Sequence, residues 1–140
     1  EESNFEQFCD RIEEISSNVN IEELVPILKI DKEITSEDIK IEIIESLKLL
    51  EPFGEANKTP LFLYKNLKID SIRALSEGKH LKLTLKDDSL VIQAIGFYLG
   101  NLANEFLIGN KVDIVGNLEI NEFNGRKMVQ LNIKDIRKSI

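Results

Sequence analysis

Apolar residues recur along this chain in two rhythms, and the change from one to the other divides it. In the first stretch Phe5, Phe8, Cys9, Ile12 and Ile15 fall at helical spacing, with Glu6, Asp10, Arg11, Glu13 and Glu14 between them. One stripe is apolar and the other solvated, which predicts an amphipathic helix. Residues 21–30 read as mixed, because Pro26 disfavours a continuous helix and favours extended backbone over 25–30. Thr35 or Ser36 is positioned to cap a second helix, with Asp38 as capping-box partner and Glu37 and Asp38 opposing the positive end of its dipole. The expected buried stripe of that helix is Ile39, Ile43, Leu47 and Leu50.

Beyond Pro60 the period falls to two, weakly across residues 67–75 and clearly over 79–86, where Leu81, Leu83 and Leu85 take one face and His80, Lys82, Thr84 and Lys86 the other. Asp87-Asp88-Ser89 supplies turn formers, and residues 90–97 return as a second strand of a hairpin. Both alternations in that strand are apolar, so its ligand-facing side is left open. Residues 98–108 predict a short helix with Leu99, Leu102, Ala103 and Phe106 on one stripe and Gly109-Asn110 as its stop. Alternation resumes through Val112, Ile114, Gly116, Leu118 and Ile120. Asn124-Gly125 predicts a type I′ hairpin turn, since both central positions need positive φ. The last strand carries Val129, Leu131 and Ile133 inward and Gln130, Asn132 and Lys134 outward.

The expected fold class is therefore α+β: an N-terminal helical segment, then a five-stranded OB-fold β-barrel with a helix between its third and fourth strands. Barrel closure also removes unpaired strand edges. The hinge between the two rhythms is the stretch over residues 50–60, where Pro52, Gly54 and Pro60 forbid a continuing helix. The expected domains are 1–57, helical segment and linker, and 58–140, the barrel.

Charge reverses at the same place. Residues 1–57 hold 16 Asp/Glu against 5 Lys/Arg, a net −11, whereas 58–140 hold 13 Lys/Arg against 9 Asp/Glu, a net +4. Screening beyond roughly 8–10 Å lets the local patch decide contact, so the overall −7 does not exclude a polyanionic ligand. A single cysteine excludes an internal disulfide framework, and no apolar run approaches the ~18 residues of a membrane span, so a cytoplasmic setting and no membrane partner are expected. A chain that opens on Glu1-Glu2 without Met reads as a piece of a longer protein.

One histidine and one cysteine cannot build a Cys/His zinc site, and no phosphate loop, Gly-x-Ser-x-Gly elbow or nucleophile–base pair is present. Asp87-Asp88 reads as a turn rather than a metal pair. The candidate chemistry is instead recognition of single-stranded nucleic acid. His80, Lys82 and Lys86 occupy the outward face of the second barrel strand, with Arg73 and Lys79 in and beside the first inter-strand loop. Phe123, Arg126 and Lys127 flank the Asn124-Gly125 turn on the other rim, and Gln130 faces outward on the last strand. Single-strand sites combine a basic groove for phosphates with aromatics that stack bases. Lysines and arginines would neutralise phosphates, Phe123 would stack a base, and His80 and Gln130 would hydrogen-bond. The blander alternative is that alternating Lys keeps a strand soluble and the Phe caps the barrel.

Leu50-Glu51-Pro52-Phe53-Gly54-Glu55-Ala56-Asn57 with Pro60, Gly78-Lys79-His80-Leu81-Lys82-Leu83, Ala94-Ile95-Gly96-Phe97, and Gln130-Leu131-Asn132-Ile133-Lys134-Asp135-Ile136-Arg137 together resemble the C-terminal region of the bacterial RecJ family. These are single-strand-specific exonucleases of the DHH phosphoesterase superfamily, serving DNA repair and recombination. The Leu-x-Pro-Phe-Gly stretch is the most specific element. The resemblance implies that residues 1–57 are the tail of the DHH-associated domain and 58–140 the family's OB domain. It implies a parent that degrades single-stranded DNA from the 5′ end with Mn2+ or Mg2+, and a piece that lacks the metal-binding motifs and uses no cofactor itself. The implied partners are single-stranded DNA and the catalytic domains of the same chain. The competing expectation is a structural or docking module that braces the nuclease core.

Overall fold

The computed structural model describes residues 2–18 and 27–140. Helix α1 (Glu2–Ser17) forms as its spacing predicts, and its apolar residues Phe5, Phe8, Ile12 and Ile15 are exposed. The mixed reading of 21–30 lies largely outside the described residues.

A short strand, β1 (Lys32–Ile34), which the pattern did not signal, pairs in parallel with the start of β2 (Phe62–Leu75). Thr35 then caps a 3-10 turn over Ser36–Asp38, with the Asp38 carboxylate accepting from the Thr35 N–H at 3.0 Å. The capping box is therefore present, but the turn ends at once. Lys40 is extended, and α2 (Ile41–Leu47) starts afresh. That break changes the phase of the helix: Ile39 and Ile44 are buried, whereas Ile43 and Leu50, expected in the buried stripe, are exposed. In the linker the Asn57 side-chain amide donates to the carbonyls of Leu50 at 2.7 Å and Pro52 at 3.1 Å, holding the turn closed.

Beyond Pro60 the strands are β2, β3 (His80–Lys86), β4 (Val91–Gly96), β5 (Lys111–Phe123) and β6 (Arg126–Lys138). Their order in the sheet is β1-β2-β3-β4-β6-β5, with β2 also paired to β5, so the five long strands form a closed ring. The β4–β6 pairing is parallel and the other four in the ring are antiparallel. This is the OB-fold barrel with one added edge strand. Leu67, Ile69, Leu81, Leu83, Leu85, Val112, Ile114 and Leu131 fill its interior, all fully buried, and Ile34 and Ile39 from the preceding segment join the same core.

The expected helix over 98–108 is only a 3-10 turn, Gly100–Asn104. Tyr98 sits in the left-handed region at φ +60, which no right-handed helix admits, and Gly109 at φ +93 closes the other end. The Asn124-Gly125 turn forms as expected, with φ +51 and +72 between the paired Phe123 and Arg126.

One strand must serve two partners for the ring to close. β2 does so by bending where its register with β5 shifts between Tyr64 and Leu67, and there Asn66 is left-handed at φ +58. The buried Asp113 carboxylate holds the bend, accepting from the Asn66 N–H at 3.1 Å, the Ser139 hydroxyl at 2.6 Å and the Arg137 guanidinium at 3.2 Å. Burial pushes this carboxyl up, but the hydrogen bonds from Ser139, Asn66 and Arg137 outweigh it and hold its pKa below the ordinary 3.8. A carboxyl depressed on folding stabilises the fold above its unfolded value and loses that contribution as pH falls through the folded value. Asp113→Ala should therefore cost about 1.5–3 kcal/mol in urea denaturation at neutral pH, with the gap to the parent chain narrowing below about pH 4.

Candidate nucleic-acid interface

Leucines on alternate positions of β3 fill the barrel, so the residues between them must face out. The register carries this outward set across the sheet: Ser71 opposes Thr84, Thr84 opposes Gln93, Gln93 opposes Gln130, and Gln130 opposes Glu119. Ser71 donates to Thr84 Oγ1 at 2.8 Å and Gln93 Nε2 to the same oxygen at 3.1 Å, a polar ladder over three strands. In the next row Arg73 opposes Lys82 and Lys82 opposes Ile95. Arg73 thus belongs to β2 itself rather than to a loop.

Above this floor lies a groove of about 790 Å3. One end is formed by Arg73, Lys82 and Thr84, the middle by Val91 and Gln93, and the far wall by Asn121, Phe123, Met128 and Gln130 of the β5–β6 hairpin, with Ile39 and Ile41 closing the side. The fold therefore brings Arg73, Lys82, Phe123 and Gln130 together from four strands. Phe123 is 67% exposed, free to meet a flat ligand.

Lys79 and His80 lie beyond the groove, at the β2–β3 turn. That turn places Glu77 at φ +59 and Gly78 at φ +86, and the Lys79 N–H donates to Ser76 O at 3.2 Å. His80 Nδ1 accepts from the Tyr98 N–H at 3.1 Å, so that nitrogen has no free lone pair for a ligand.

Arg126 and Lys127 separate, because adjacent residues on a strand face opposite ways. Arg126 opposes Phe123 on the groove side of the hairpin, whereas Lys127 opposes Glu122 on the other side and donates to Glu45 of α2 at 2.8 Å. That hydrogen bond and the attraction of the two charges raise the Lys127 pKa and lower that of Glu45. Lys86 is likewise paired, with Asp70. Arg73 and Lys82, the two cations that line the groove, have no acidic partner within 4.0 Å among the described residues, nor do Lys79 and Arg126 beside it, a state they share with several cations elsewhere on the surface.

Sequence reasoning passed over Gln93, Val91, Met128 and the Ile39–Ile41 wall. Gln93 had a signal, as the lone polar residue in the run 90–97, and it marks the outward alternation of β4. The wall had none, since it depends on how α2 docks. Asp87 is the turn former expected of it: its carboxylate accepts from the Ser89 and Leu90 amides, both at 2.8 Å, and from the Tyr64 hydroxyl. Burial raises the Tyr64 pKa strongly, and the Asp87 carboxylate adds to this.

A divalent metal needs several convergent carboxylate or imidazole ligands. Among the described residues no group of three or more such side chains forms, and no helix there is long and apolar enough to cross a membrane.

Comparison with known proteins identifies the barrel. The family model described as the RecJ OB domain matches residues 30–135. The chain is 36% identical over 127 residues to the single-stranded-DNA-specific exonuclease RecJ of Bacillus subtilis, covering 89% of this chain and 16% of that protein. It is 33% identical over 97 residues to the Thermus thermophilus protein of the same name, covering 69% and 13%. The crystal structure of RecJ from Thermus thermophilus in complex with Mn2+ superposes with a TM-score of 0.75 at 27% identity, over all of this chain and 20% of that one. A second crystal structure of that protein is a complex with Mg2+. The chain thus spans about a fifth or less of these relatives.

Tight packing ties the β2–β3 turn to the 3-10 segment: a Cβ at Gly100 would overlap the carbonyl oxygen of Gly78. Gly100→Ala should cost about 1–3 kcal/mol by denaturant titration, the range for overpacking, whereas Gly54→Ala, with open space around it, should be much milder.

Proposed function

Since the chain belongs to the RecJ OB domain family, we propose that its barrel binds single-stranded DNA along the groove between β3 and the β5–β6 hairpin. In this role it is a noncatalytic guide within a longer, cytoplasmic 5′-to-3′ single-strand exonuclease of DNA repair and recombination. The metal chemistry, with Mn2+ or Mg2+, belongs to catalytic domains elsewhere in the same protein.

The observation that carries this reading is the pairing of cations without ion pairs and an open aromatic ring around a polar floor. Arg73 and Lys82 are adjacent on neighbouring strands and provide a positive end for phosphates. Phe123 offers a face to a base, and Gln93, Gln130 and Thr84 offer hydrogen bonds that suit any sequence. Arg126 extends the positive border at the hairpin tip, and Lys79 does so at the other end. Such a site tracks a backbone and stacks bases without reading their edges, so weak sequence preference is expected.

A bracing role has its own supporting observation: the apolar residues Phe5, Phe8, Ile12 and Ile15 of α1 are exposed, a stripe suited to packing on another part of the parent protein. The two roles are compatible, because the stripe and the groove are formed by different elements.

Fluorescence anisotropy of a labelled oligo-dT, at about 50 and 200 mM salt with a duplex control, tests the DNA role. The expected result is salt-sensitive binding that favours the single strand. Lys82→Glu combined with Lys79→Glu should abolish it with the thermal transition unchanged, and Lys82→Gln alone should flatten the log–log salt dependence by roughly 0.7. Equal binding by the double variant would remove this face from the site. Glu45→Gln frees Lys127 from its ion pair; an unchanged affinity in that variant is expected, and tighter binding would bring Lys127 into the interface.

A further inference from the structure

The outward face of β3 and β4 does not stop at the groove. Beyond the Lys82–Ile95 row it continues to His80 on β3 and, just past the end of β4, to Phe97. Phe97 and Tyr98 both lie against His80, each with ring centroids 5.3 Å from the imidazole and planes at 72° and 80° to it. Both are open to solvent, Phe97 at 51% and Tyr98 at 81%. Large apolar rings are normally among the more buried residues.

The backbone beneath them is costly. Tyr98 has φ +60, a conformation disfavoured for a bulky side chain by about 1–2 kcal/mol. It is held there by its N–H donating to His80 Nδ1 and by the packing of Gly100 on Gly78. It is Leu99, next in the chain, that packs against the core, while the tyrosine ring itself is turned out to solvent. The arrangement fits a platform kept ready for a flat ligand.

We infer that Phe97 and Tyr98, braced by His80, form a second base-stacking subsite, which takes a nucleobase of the same single strand that occupies the groove. This rests on the single-strand reading above and deepens it. The charge around the platform agrees: Lys79 precedes His80, and Arg73 and Lys82 lie one row inward, so phosphates flanking a stacked base meet cations that carry no ion pair among the described residues. The strand then runs from Phe123 at the hairpin, across the Thr84–Gln93 floor, to Tyr98 at the opposite end, contacting an aromatic at both ends. His80 acts as a positioning residue, holding the tyrosine backbone rather than reading a base.

The composition of the chain supplies the probe. It has no tryptophan and two tyrosines, of which Tyr64 is buried and Tyr98 exposed. Titration of the 140-residue chain with oligo-dT should quench its tyrosine emission in parallel with the rise in anisotropy of a labelled oligonucleotide. Tyr98→Phe should keep the affinity and lose the quenching. Tyr98→Gly, which a left-handed backbone accepts, should keep or raise the thermal transition while weakening binding about five- to a hundredfold, corresponding to the roughly 1–3 kcal/mol of one stacked base. If the oligonucleotide binds but emission does not change and Tyr98→Gly binds equally well, the platform is not a subsite and the groove stands alone. If the unsubstituted 140-residue chain shows no anisotropy change up to tens of micromolar, the single-strand reading fails and takes the subsite with it.

Discussion

Closure of the barrel depends on a bend in one strand. β2 is long enough to pair with β5 along one half and β3 along the other; the exchange is at Lys68, just after the irregularity at Asn66, where the backbone passes through the left-handed region. A bend of that kind leaves a backbone amide without a ladder partner, and backbone donors in folded proteins are nearly always paired. Asp113 satisfies it, and the same carboxylate ties down Arg137 and Ser139 at the end of the chain. A single buried acid thus joins the first, fourth and last strands of the ring.

Once the ring is closed, parity does the rest. Each leucine committed to the interior of β3 forces its neighbours outward, and the antiparallel and parallel registers carry that choice to β2, β4 and β6. The outward rows become continuous lines of Ser71, Thr84, Gln93 and Gln130, and of Arg73 and Lys82. A binding face of this type needs no special loop to assemble it. The loops serve to end it, with the hairpin tip raising Phe123 at one side and the Gly78–Gly100 contact fixing the turn at the other.

The preceding segment is part of this arrangement. β1 adds to the edge of β2, Ile34 and Ile39 join the core, and α2 lies along the hairpin, where Glu45 holds Lys127. The same docking gives the groove its Ile39–Ile41 wall. Surface ion pairs contribute little to stability, so the Glu45–Lys127 pair chiefly neutralises a cation that strand parity already turns away from the groove, and Arg126 is the free charge of the two neighbours.

Much of this was legible in the sequence because it depends on local periodicity and turn chemistry. The alternation of Leu81, Leu83 and Leu85, the Asn124-Gly125 turn and the Asp87 turn are each specified within a few residues, and together they imply the barrel and the outward position of Lys82 and Gln130. What the tertiary structure alone decided involves contacts between distant segments or a competition that no short pattern settles. The apolar run of β4, with Gln93 as its one polar marker, acquired fixed faces from pairing with β3 and β6. The helix expected over 98–108 gave way to a 3-10 turn because Tyr98 and Gly100 are held by His80 and Gly78, some twenty residues earlier in the chain. The phase of α2 was set by docking rather than by its own stripe, and Lys127 was claimed by Glu45 across the fold. Periodicity is a property of neighbours along the chain, while the choice of which cation stays free and which ring stays exposed belongs to neighbours in space.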